Sequence, residues 1–230
     1  MDVTLGLPPH ITACLFDLDG VITQTASVHA EAWKQVFDEF HIPYDKERDY
    51  TLYVDGKPRV EGVRSVLDAK KLKADEELVQ RIARRKDELF LGLIHQQGVQ
   101  TYPSSVEYLR QARQAGKKTA VVSSSKNTSE VLKAAGLHDL FDAQVDGNVA
   151  EQEHLPGKPA PDTYLRAATM LQTTAGSAAV YEDALAGVEA GRAGHFGLVV
   201  GVDRAGQADA LKQHGADVVV RDLGELLHAA

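Results

Sequence analysis

Short, almost wholly apolar runs alternate with segments of helical period along most of this chain, and that alternation limits its possible folds more than any other feature. A strand that is apolar at successive positions is buried on both faces, as in a parallel sheet covered by helices. We therefore predict an α/β fold built on a doubly wound parallel sheet. The predicted strands are 11–16, 119–123, 141–145, 178–182, 197–202 and 217–220, and the predicted helices are 104–115, 129–135, 162–171, 185–193 and 205–214.

The segment from about residue 27 to residue 97 interrupts this alternation, because it shows helical patterns and no convincing strand. One apolar stripe runs from Val28 to Phe40 at helical spacing, residues 75–94 form a second long helix, and residues 53–59 are rich in turn formers. An all-helical block inserted directly after the first strand predicts a separate small domain. The predicted division is a core of residues 1–24 and 98–230 with a helical domain of residues 25–97.

The composition argues against several classes of function. A total of 25 lysines and arginines against 33 aspartates and glutamates gives a net charge of −8, so nucleic acid is not expected as a partner. The single cysteine, Cys14, leaves no internal disulfide. Because neither an apolar signal segment nor a long apolar span is visible, we expect no membrane contact and a cytoplasmic location.

Polar side chains with catalytic potential follow the predicted strands at the points where the strands end. Ligands of an open parallel sheet bind outside the carboxyl ends of its strands, so these side chains are expected at one edge. Carboxylates, hydroxyls and a lysine together can bind a metal ion and a phosphoryl group. In chain order they are Asp17 and Asp19, the segment 123–127, Lys158, and Glu182 with Asp183.

Each of these motifs also has a purely structural interpretation. Asp17 and Asp19 can be turn or cap residues, and the segment 123–127 can cap the helix that follows it. Lys158 can be a solvated loop residue, and the two acids after strand 178–182 can favour a helix N-terminus. The arrival of all four motifs at the same sheet edge favours the chemical interpretation.

The run Asp17-Leu-Asp19-Gly-Val, the strand-end Ser123, Lys158 in a Gly-Lys-Pro loop and the pair Glu182-Asp183 resemble, as a set, the motifs of the haloacid dehalogenase superfamily. The resemblance covers nearly the whole chain. The helical block lies where the β-phosphoglucomutase-like subfamily, which includes small sugar phosphatases, carries its cap domain. The resemblance therefore implies a Rossmann-like core with an inserted helical cap and a phosphoryl-transfer activity.

The resemblance implies a role for each motif of the core. Asp17 would be the nucleophile that forms an aspartyl phosphate, which divides one difficult displacement into two easier steps. Asp19 would act as general acid and base on the leaving and entering oxygens. Ser123 and Lys158 would orient and neutralise the transferring group. Dehalogenases of this superfamily do not need the second aspartate, so Asp19 favours phosphoryl transfer over carbon–halogen cleavage.

Mg²⁺ is the cofactor that the resemblance implies, because it offsets the repulsion between an ionised nucleophile and an anionic phosphoryl group. Its ligands would be Asp17, the backbone carbonyl of Asp19, and Asp183. Glu182 would lie among these ligands or directly behind them. The sequence leaves the choice between Mg²⁺ and Mn²⁺ open.

The resemblance also implies a site for a second, non-transferring phosphate. The segment 123–127, Ser-Ser-Ser-Lys-Asn, is similar to the Ser-x-Ser-Lys-Asn segment of β-phosphoglucomutases, and Arg59 matches a cap arginine that clamps the distal phosphate. The predicted substrate-binding residues are Thr25, His29, Gly56, Arg59, Lys86, Ser124, Ser125, Lys126 and Asn127.

Three of the cap residues have structural alternatives. His29 would couple cap closure to the general acid/base, but a histidine beside Trp33 can simply be packed. Arg59 can be a surface turn residue, and one helical turn of error would move Lys86 out of the site. The cap loop departs from the subfamily pattern at Asp55 and Gly62, where a lysine and a serine are expected, so the identity of the sugar stays open.

The expected activity is that of a β-phosphoglucomutase, which moves phosphate between C1 and C6 of a hexose through a bisphosphate. The alternatives are a sugar-phosphate phosphatase that uses the same Asp17 and Asp19, and a non-catalytic binding module, which the intact motif set disfavours. The expected partner is a small sugar phosphate bound by a monomer. Closure of the cap on hinges near residues 23–26 and 98–102 would keep the site dry.

Overall fold

A computed structural model describes residues 5–228 of the chain, and its centre is a six-stranded sheet. The strands are β1 Ala13–Phe16, β2 Lys118–Val122, β3 Ala143–Val145, β4 Ala178–Glu182, β5 Leu198–Val202 and β6 Val218–Val220. They lie in the order β3-β2-β1-β4-β5-β6, and every neighbouring pair is parallel. The predicted fold class is confirmed.

Alternate residues of the central strand pack on opposite faces of the sheet. Cys14 and Phe16 of β1 belong to the apolar cluster on one face, whereas Ala13 and Leu15 belong to the cluster on the other. All four are fully buried, because helices cover both faces, as the almost continuously apolar sequence predicts. The parallel register of β1 with β2 and β4 brings the carboxyl ends of these three strands to one edge.

The helices surround this sheet and connect its strands. Within residues 5–228 they are α1 Thr25–Glu39, α2 Arg59–Ala69, α3 Glu76–Gln97, α4 Pro103–Gln114, α5 Thr128–Ala134, α6 Gly147–Gln152, α7 Asp162–Met170, α8 Leu185–Ala193 and α9 Ala208–Gln213, with a π-helical turn at Tyr50–Val54 and 3-10 turns at His138–Leu140, Ala175–Ser177 and Leu223–His228.

Two details differ from the sequence prediction. Helix α6 was not predicted, because a six-residue helix is too short to show a period. It begins at Asp146, whose carboxylate accepts hydrogen bonds from the backbone N–H groups of Asn148 and Val149. The stretch 53–59 is only partly a turn, since the π-helical turn ends at Val54 and α2 already begins at Arg59.

Helices α1, α2 and α3 lie between β1 and β2 in the chain and enclose an apolar cluster of their own. Trp33, Phe37, Val63 and Ile82 are buried in it, and α1 packs along α3. No strand occurs among these residues in the described chain. We call this helical segment the cap and the rest of the described chain the core. The exact division at residues 25–97 stays a prediction. No helix within residues 5–228 is long and apolar enough to span a membrane.

Candidate active site

Two pairs of acidic residues meet at the carboxyl edge of the sheet. Asp17 and Asp19 follow β1, and Glu182 and Asp183 lie at the end of its neighbour β4. Gly20 lets the chain turn away from this edge with φ at +89°, and a Cβ atom at this position would lie 1.8 Å from Asp183 Oδ2. A residue with a side chain is therefore excluded at position 20, and the two pairs of acids stay in close contact.

Lys158 is the cation that the core provides to these acids. It is 2% exposed, and its Nζ lies 2.5 Å from Asp17 Oδ1 and 2.6 Å from Glu182 Oε1. The Tyr164 hydroxyl donates a hydrogen bond of 2.8 Å to the same Glu182 oxygen, and the ammonium lies over the Tyr164 ring. Glu182 is thus held in place by two donors, and Lys158 links it to Asp17.

The acidic cluster has the chemistry of a magnesium site. Asp17, Glu182 and Asp183 present carboxylate oxygens that all lie within 4.8 Å of one another. Burial raises the pKa of Asp183, and the neighbouring carboxylates, Asp55 foremost, raise it further. Among residues 5–228 no ion pair includes Asp183, and Lys158 is the only cation paired with the cluster. Oxygen ligands with uncompensated negative charge fit Mg²⁺.

The Asp17 carboxyl experiences opposing influences. Burial raises its pKa above the usual range, the Lys158 ammonium acts against this increase, and the negative charge of Glu182 adds to it. A cation between Asp17 and Asp183 would shift both pKa values back down, because an adjacent positive charge favours the ionised carboxylate. This is a second observation that suits a divalent ion at this place.

Asp19 has a different environment from Asp17. The Thr25 hydroxyl donates to its Oδ1, the Ser123 hydroxyl lies 3.4 Å from its Oδ2, and His29 Nε2 lies 3.4 Å from Oδ1. Burial opposes ionisation, but the His29 ring and the Thr25 hydroxyl outweigh it, together with Lys86, and lower the pKa of Asp19 to about 2. The Asp19 carboxylate therefore accepts hydrogen bonds from Thr25 and Ser123, and the His29 ring lies close beside it.

His29 links Asp19 to a buried lysine on α3. Lys86 Nζ donates a hydrogen bond of 2.5 Å to His29 Nδ1, and the His29 ring stacks on Phe90 at a centroid distance of 4.0 Å. The ammonium also lies over the rings of Trp33 and Phe90. Burial lowers the pKa of Lys86 to about 7, and the positive charge of Arg59 contributes to this shift.

The segment 123–127 folds as a tight loop at the end of β2. The backbone N–H of Ser125 donates to the Ser123 hydroxyl at 3.1 Å, and the backbone N–H of Asn127 donates to the Ser125 hydroxyl at 3.1 Å. The Ser124 hydroxyl crosses to the cap and donates to the Gly56 carbonyl at 2.8 Å. This loop therefore connects the carboxyl edge of the sheet with the cap.

A second contact between cap and core involves an acid that sequence reasoning missed. Asp87 of α3 forms an ion pair with Arg59, and its Oδ1 accepts a hydrogen bond of 2.8 Å from the Asn127 amide. Lys126 points to the rim, where it lies 2.7 Å from Glu151. The predicted phosphate-clamp arginine is thus paired with a carboxylate of its own chain.

A cavity of about 400 Å³ lies between the strand ends and the cap. The predicted residues that line it are Asp17, Asp19, His29, Gly56, Arg59, Lys86, Ser123, Ser124, Ser125, Lys126, Asn127 and Asp183. Three other predicted residues are buried behind this lining. Thr25 contacts Asp19 there. Lys158 contacts both Glu182 and Asp17. Thr25 was predicted to bind substrate, but it lies beside Asp19 and does not line the cavity.

Four residues of this region were not predicted as site residues: Tyr50, Asp55, Asp87 and Tyr164. Tyr164 lies two residues beyond the start of α7, and its role depends on a contact with Glu182 across the sheet. Asp87 is adjacent to Lys86 in the sequence, and only the docking of the cap brings it to Asn127. Tyr50, Asp87 and Tyr164 belong to no motif of fixed spacing, and the sequence showed Asp55 only as a departure from the subfamily pattern of the cap loop.

Comparisons with known proteins agree with this geometry. A family model described as haloacid dehalogenase-like hydrolase matches residues 11–195. A β-phosphoglucomutase of Mycobacterium tuberculosis is 46% identical, with 97% of this chain and 94% of that protein aligned. A β-phosphoglucomutase of Bacillus subtilis is 33% identical over 93% of this chain and 91% of its own length. A crystal structure of β-phosphoglucomutase from Clostridium difficile superposes with a TM-score of 0.81 and 30% identity, covering 94% of this chain and 93% of that one.

Proposed function

The chain belongs to the haloacid dehalogenase-like hydrolases, and we propose that within this family it is a β-phosphoglucomutase, which converts β-glucose 1-phosphate to glucose 6-phosphate. The observation that carries the proposal is a cavity with polar and charged groups at both of its ends. Asp17 and Asp19 lie at the strand ends, and Arg59 with the segment 123–127 offers a second place for an anion. Such a cavity suits a hexose with phosphate groups on two carbons.

Asp17, Asp183 and the backbone carbonyl of Asp19 would hold Mg²⁺, with Glu182 beside them. The bound ion supplies positive charge to the phosphoryl oxygens and offsets their repulsion from Asp17. Both Glu182 oxygens already have protein partners, since Oε1 accepts from Lys158 and Tyr164 and Oε2 accepts from the backbone N–H of Ala184. For this reason we place Glu182 behind the ligand set rather than in it.

In the first step a carboxylate oxygen of Asp17 attacks the phosphorus of a glucose 1,6-bisphosphate. An O–P bond to Asp17 forms, the bond from phosphorus to the sugar oxygen breaks, and Asp19 gives that oxygen a proton. In the second step Asp19 takes a proton from the C6 hydroxyl of β-glucose 1-phosphate, and the oxygen attacks the phosphorus of the aspartyl phosphate. The O–P bond to Asp17 breaks and glucose 1,6-bisphosphate forms again, so the proton that Asp19 gives in one step is the proton that it takes in the other. Lys158, held 2.5 Å from Asp17, neutralises charge that builds up there.

Thr25, His29 and Ser123 keep the Asp19 carboxyl aimed at the sugar oxygen in both steps. Because His29 belongs to the cap and Ser123 to the core, this arrangement is complete only when the cap is closed. Closure would then couple sugar binding to proton transfer and keep water away from the aspartyl phosphate. We further propose that the protein acts in the cytoplasm as a monomer on small sugar phosphates and not on nucleic acid.

The test is to incubate the protein with β-glucose 1-phosphate, Mg²⁺ and a trace of glucose 1,6-bisphosphate, and to measure glucose 6-phosphate and free phosphate together. We expect glucose 6-phosphate to form well in excess of phosphate. Phosphate release without isomerisation would replace the mutase with the alternative, a sugar-phosphate phosphatase that uses the same Asp17 and Asp19.

A further inference from the structure

The turn that follows Tyr50–Val54 brings an acidic side chain of the cap into the cavity. The backbone N–H of Asp55 donates to the Tyr50 carbonyl at 3.0 Å and ends the π-helical turn. Gly56 continues with φ at +70°, and a Cβ atom built on it would lie 3.1 Å from Ala184, next to the metal site. Its carbonyl accepts the bond from Ser124. Gly56, the residue after Asp55, is therefore held between the loop that follows β2 and the start of α8.

The Asp55 carboxyl lies in a strongly negative region without a cation of its own. It lines the cavity together with Asp19 and Asp183. Within the described part of the chain no ion pair includes it, and Lys158 is already paired with Asp17 and Glu182. Burial raises the pKa of Asp55 to about 7, and the negative charge of Glu182 contributes. Tyr50 lines the same cavity and carries a phenol hydroxyl, a group that can donate a hydrogen bond to a carboxylate.

The proposed transfer chemistry leaves this carboxyl without a task. Asp17 and Asp19 already supply the nucleophile and the acid/base, and Asp55 is not among the three carboxylates that lie within 4.8 Å of one another. A partly buried carboxyl beside the path of an anionic phosphoryl group opposes binding unless donors satisfy it. A carboxylate has about four acceptor positions, and Tyr50 can fill one of them. The neutral donors that a sugar phosphate brings into this cavity are its ring hydroxyls.

Resting on the proposed function, we propose that Asp55 is a specificity-determining residue that accepts a hydrogen bond from a ring hydroxyl of the bound sugar, with Tyr50 as the positioning residue that orients it. The substrate would then be a sugar phosphate with a free hydroxyl that faces the turn at Asp55 and Gly56. A site built to bond a hydroxyl rejects an analogue that lacks it, because the buried acceptor is left unpaired.

The experiment compares β-glucose 1-phosphate with its 2-deoxy, 3-deoxy and 4-deoxy analogues on the wild type, Asp55→Asn, Asp55→Ala and Tyr50→Phe. Asp68→Asn, an exposed cap carboxylate, is the matched control. We expect one analogue to lose about 10- to 100-fold in kcat/KM with the wild type, the usual effect of a hydrogen bond to a charged group. In Asp55→Ala the same analogue should lose no more than about threefold in kcat/KM relative to β-glucose 1-phosphate. The loss in Tyr50→Phe should be intermediate, and the loss in Asp68→Asn should equal that of the wild type.

Equal losses in the wild type and in Asp55→Ala for all three analogues would overturn the proposal. It would also be overturned if Asp55→Asn changed the half-saturating Mg²⁺ concentration and left the analogue pattern intact, because Asp55 would then serve the metal. Turnover is counted as the 6-phosphate of the sugar supplied plus free phosphate, so an absence of isomerisation refutes only the mutase assignment. If no turnover occurs, calorimetric binding of the same analogues to Asp17→Asn, with and without Asp55→Ala, gives the comparison.

Discussion

The two faces of the cavity are built in different ways. On the core face, the acids stand at the ends of neighbouring parallel strands, and Lys158 links Asp17 to Glu182 at distances of 2.5 and 2.6 Å. On the cap face, charged residues are paired across helices, turns and the interface with the core, as Arg59 is with Asp87. The core face is fixed by the sheet, whereas the cap face exists only in the docked arrangement of cap and core.

This difference separates the reaction from the choice of substrate. In the proposed function the core face holds the nucleophile and the metal ligands, which the transfer of the phosphoryl group needs. The cap face holds Arg59, Lys86 and Asp55, which line the cavity and, in the proposed function, would contact the part of the substrate that does not react. We therefore expect substitutions on the core face to remove all activity. Substitutions on the cap face should instead change which sugar phosphates react and whether the phosphoryl group passes to a sugar or to water.

The largest expected effect comes from Asp17→Asn on the core face. Without the carboxylate nucleophile no aspartyl phosphate forms, so isomerisation and phosphate release should both fall by at least about 10⁴-fold. The measurement is kcat for both products, with Asp139→Asn, an exposed carboxylate of the core, as the control. Binding of glucose 1,6-bisphosphate should persist. Turnover by Asp17→Asn would contradict the assignment of the nucleophile to the core face.

The contrast between the two faces also explains what the sequence could predict. The strands and the residues at their ends follow from apolar periodicity and from motifs of fixed spacing, and the structure brings Asp17, Asp19, Lys158 and Asp183 to one edge as expected. Parallel strands in register leave little freedom there. A residue that directly follows a buried strand is placed by the strand itself, so local sequence is sufficient.

The cap face could be predicted only in part, because its contacts depend on how two packed units meet. Arg59 and Lys86 were predicted from the resemblance, but their partners were not. Asp87 reaches Asn127 only after α3 docks over the loop that follows β2, and its ion pair with Arg59 joins two helices of the cap. Asp55 enters the cavity through an irregular π-helical turn. No periodicity or propensity encodes such long-range pairs.

An intermediate effect is expected from Arg59→Ala on the cap face. If Arg59 holds the distal phosphate, this change should raise KM for glucose 1,6-bisphosphate by about 100-fold, since the ion pair with a phosphate is lost. Hydrolysis of a monophosphate should fall much less. The measurement is the ratio of the two kcat/KM values, and an equal loss on both substrates would contradict the clamp role.

Asp87→Asn is the matched variant for this comparison. It keeps the side-chain shape but removes the negative charge that pairs with Arg59. The guanidinium is then free for phosphate, so KM for the bisphosphate should fall by about two- to fivefold, the opposite direction to Arg59→Ala. A rise in KM would mean that Asp87 supports the Arg59 site rather than competing for it.

The last expected effect is a pH dependence that arises on the cap face. Burial lowers the pKa of Lys86 to about 7, and its charge is therefore lost as pH rises through this value. Because the anionic substrate binds the protonated ammonium, kcat/KM at saturating Mg²⁺ should decline by about tenfold per pH unit above 7. Lys86→Arg keeps its charge over this range, so its activity, although lower at pH 7, should lack this alkaline decline. If kcat/KM of Lys86→Arg declines with the same midpoint, another group is responsible for the titration and Lys86 does not bind the substrate.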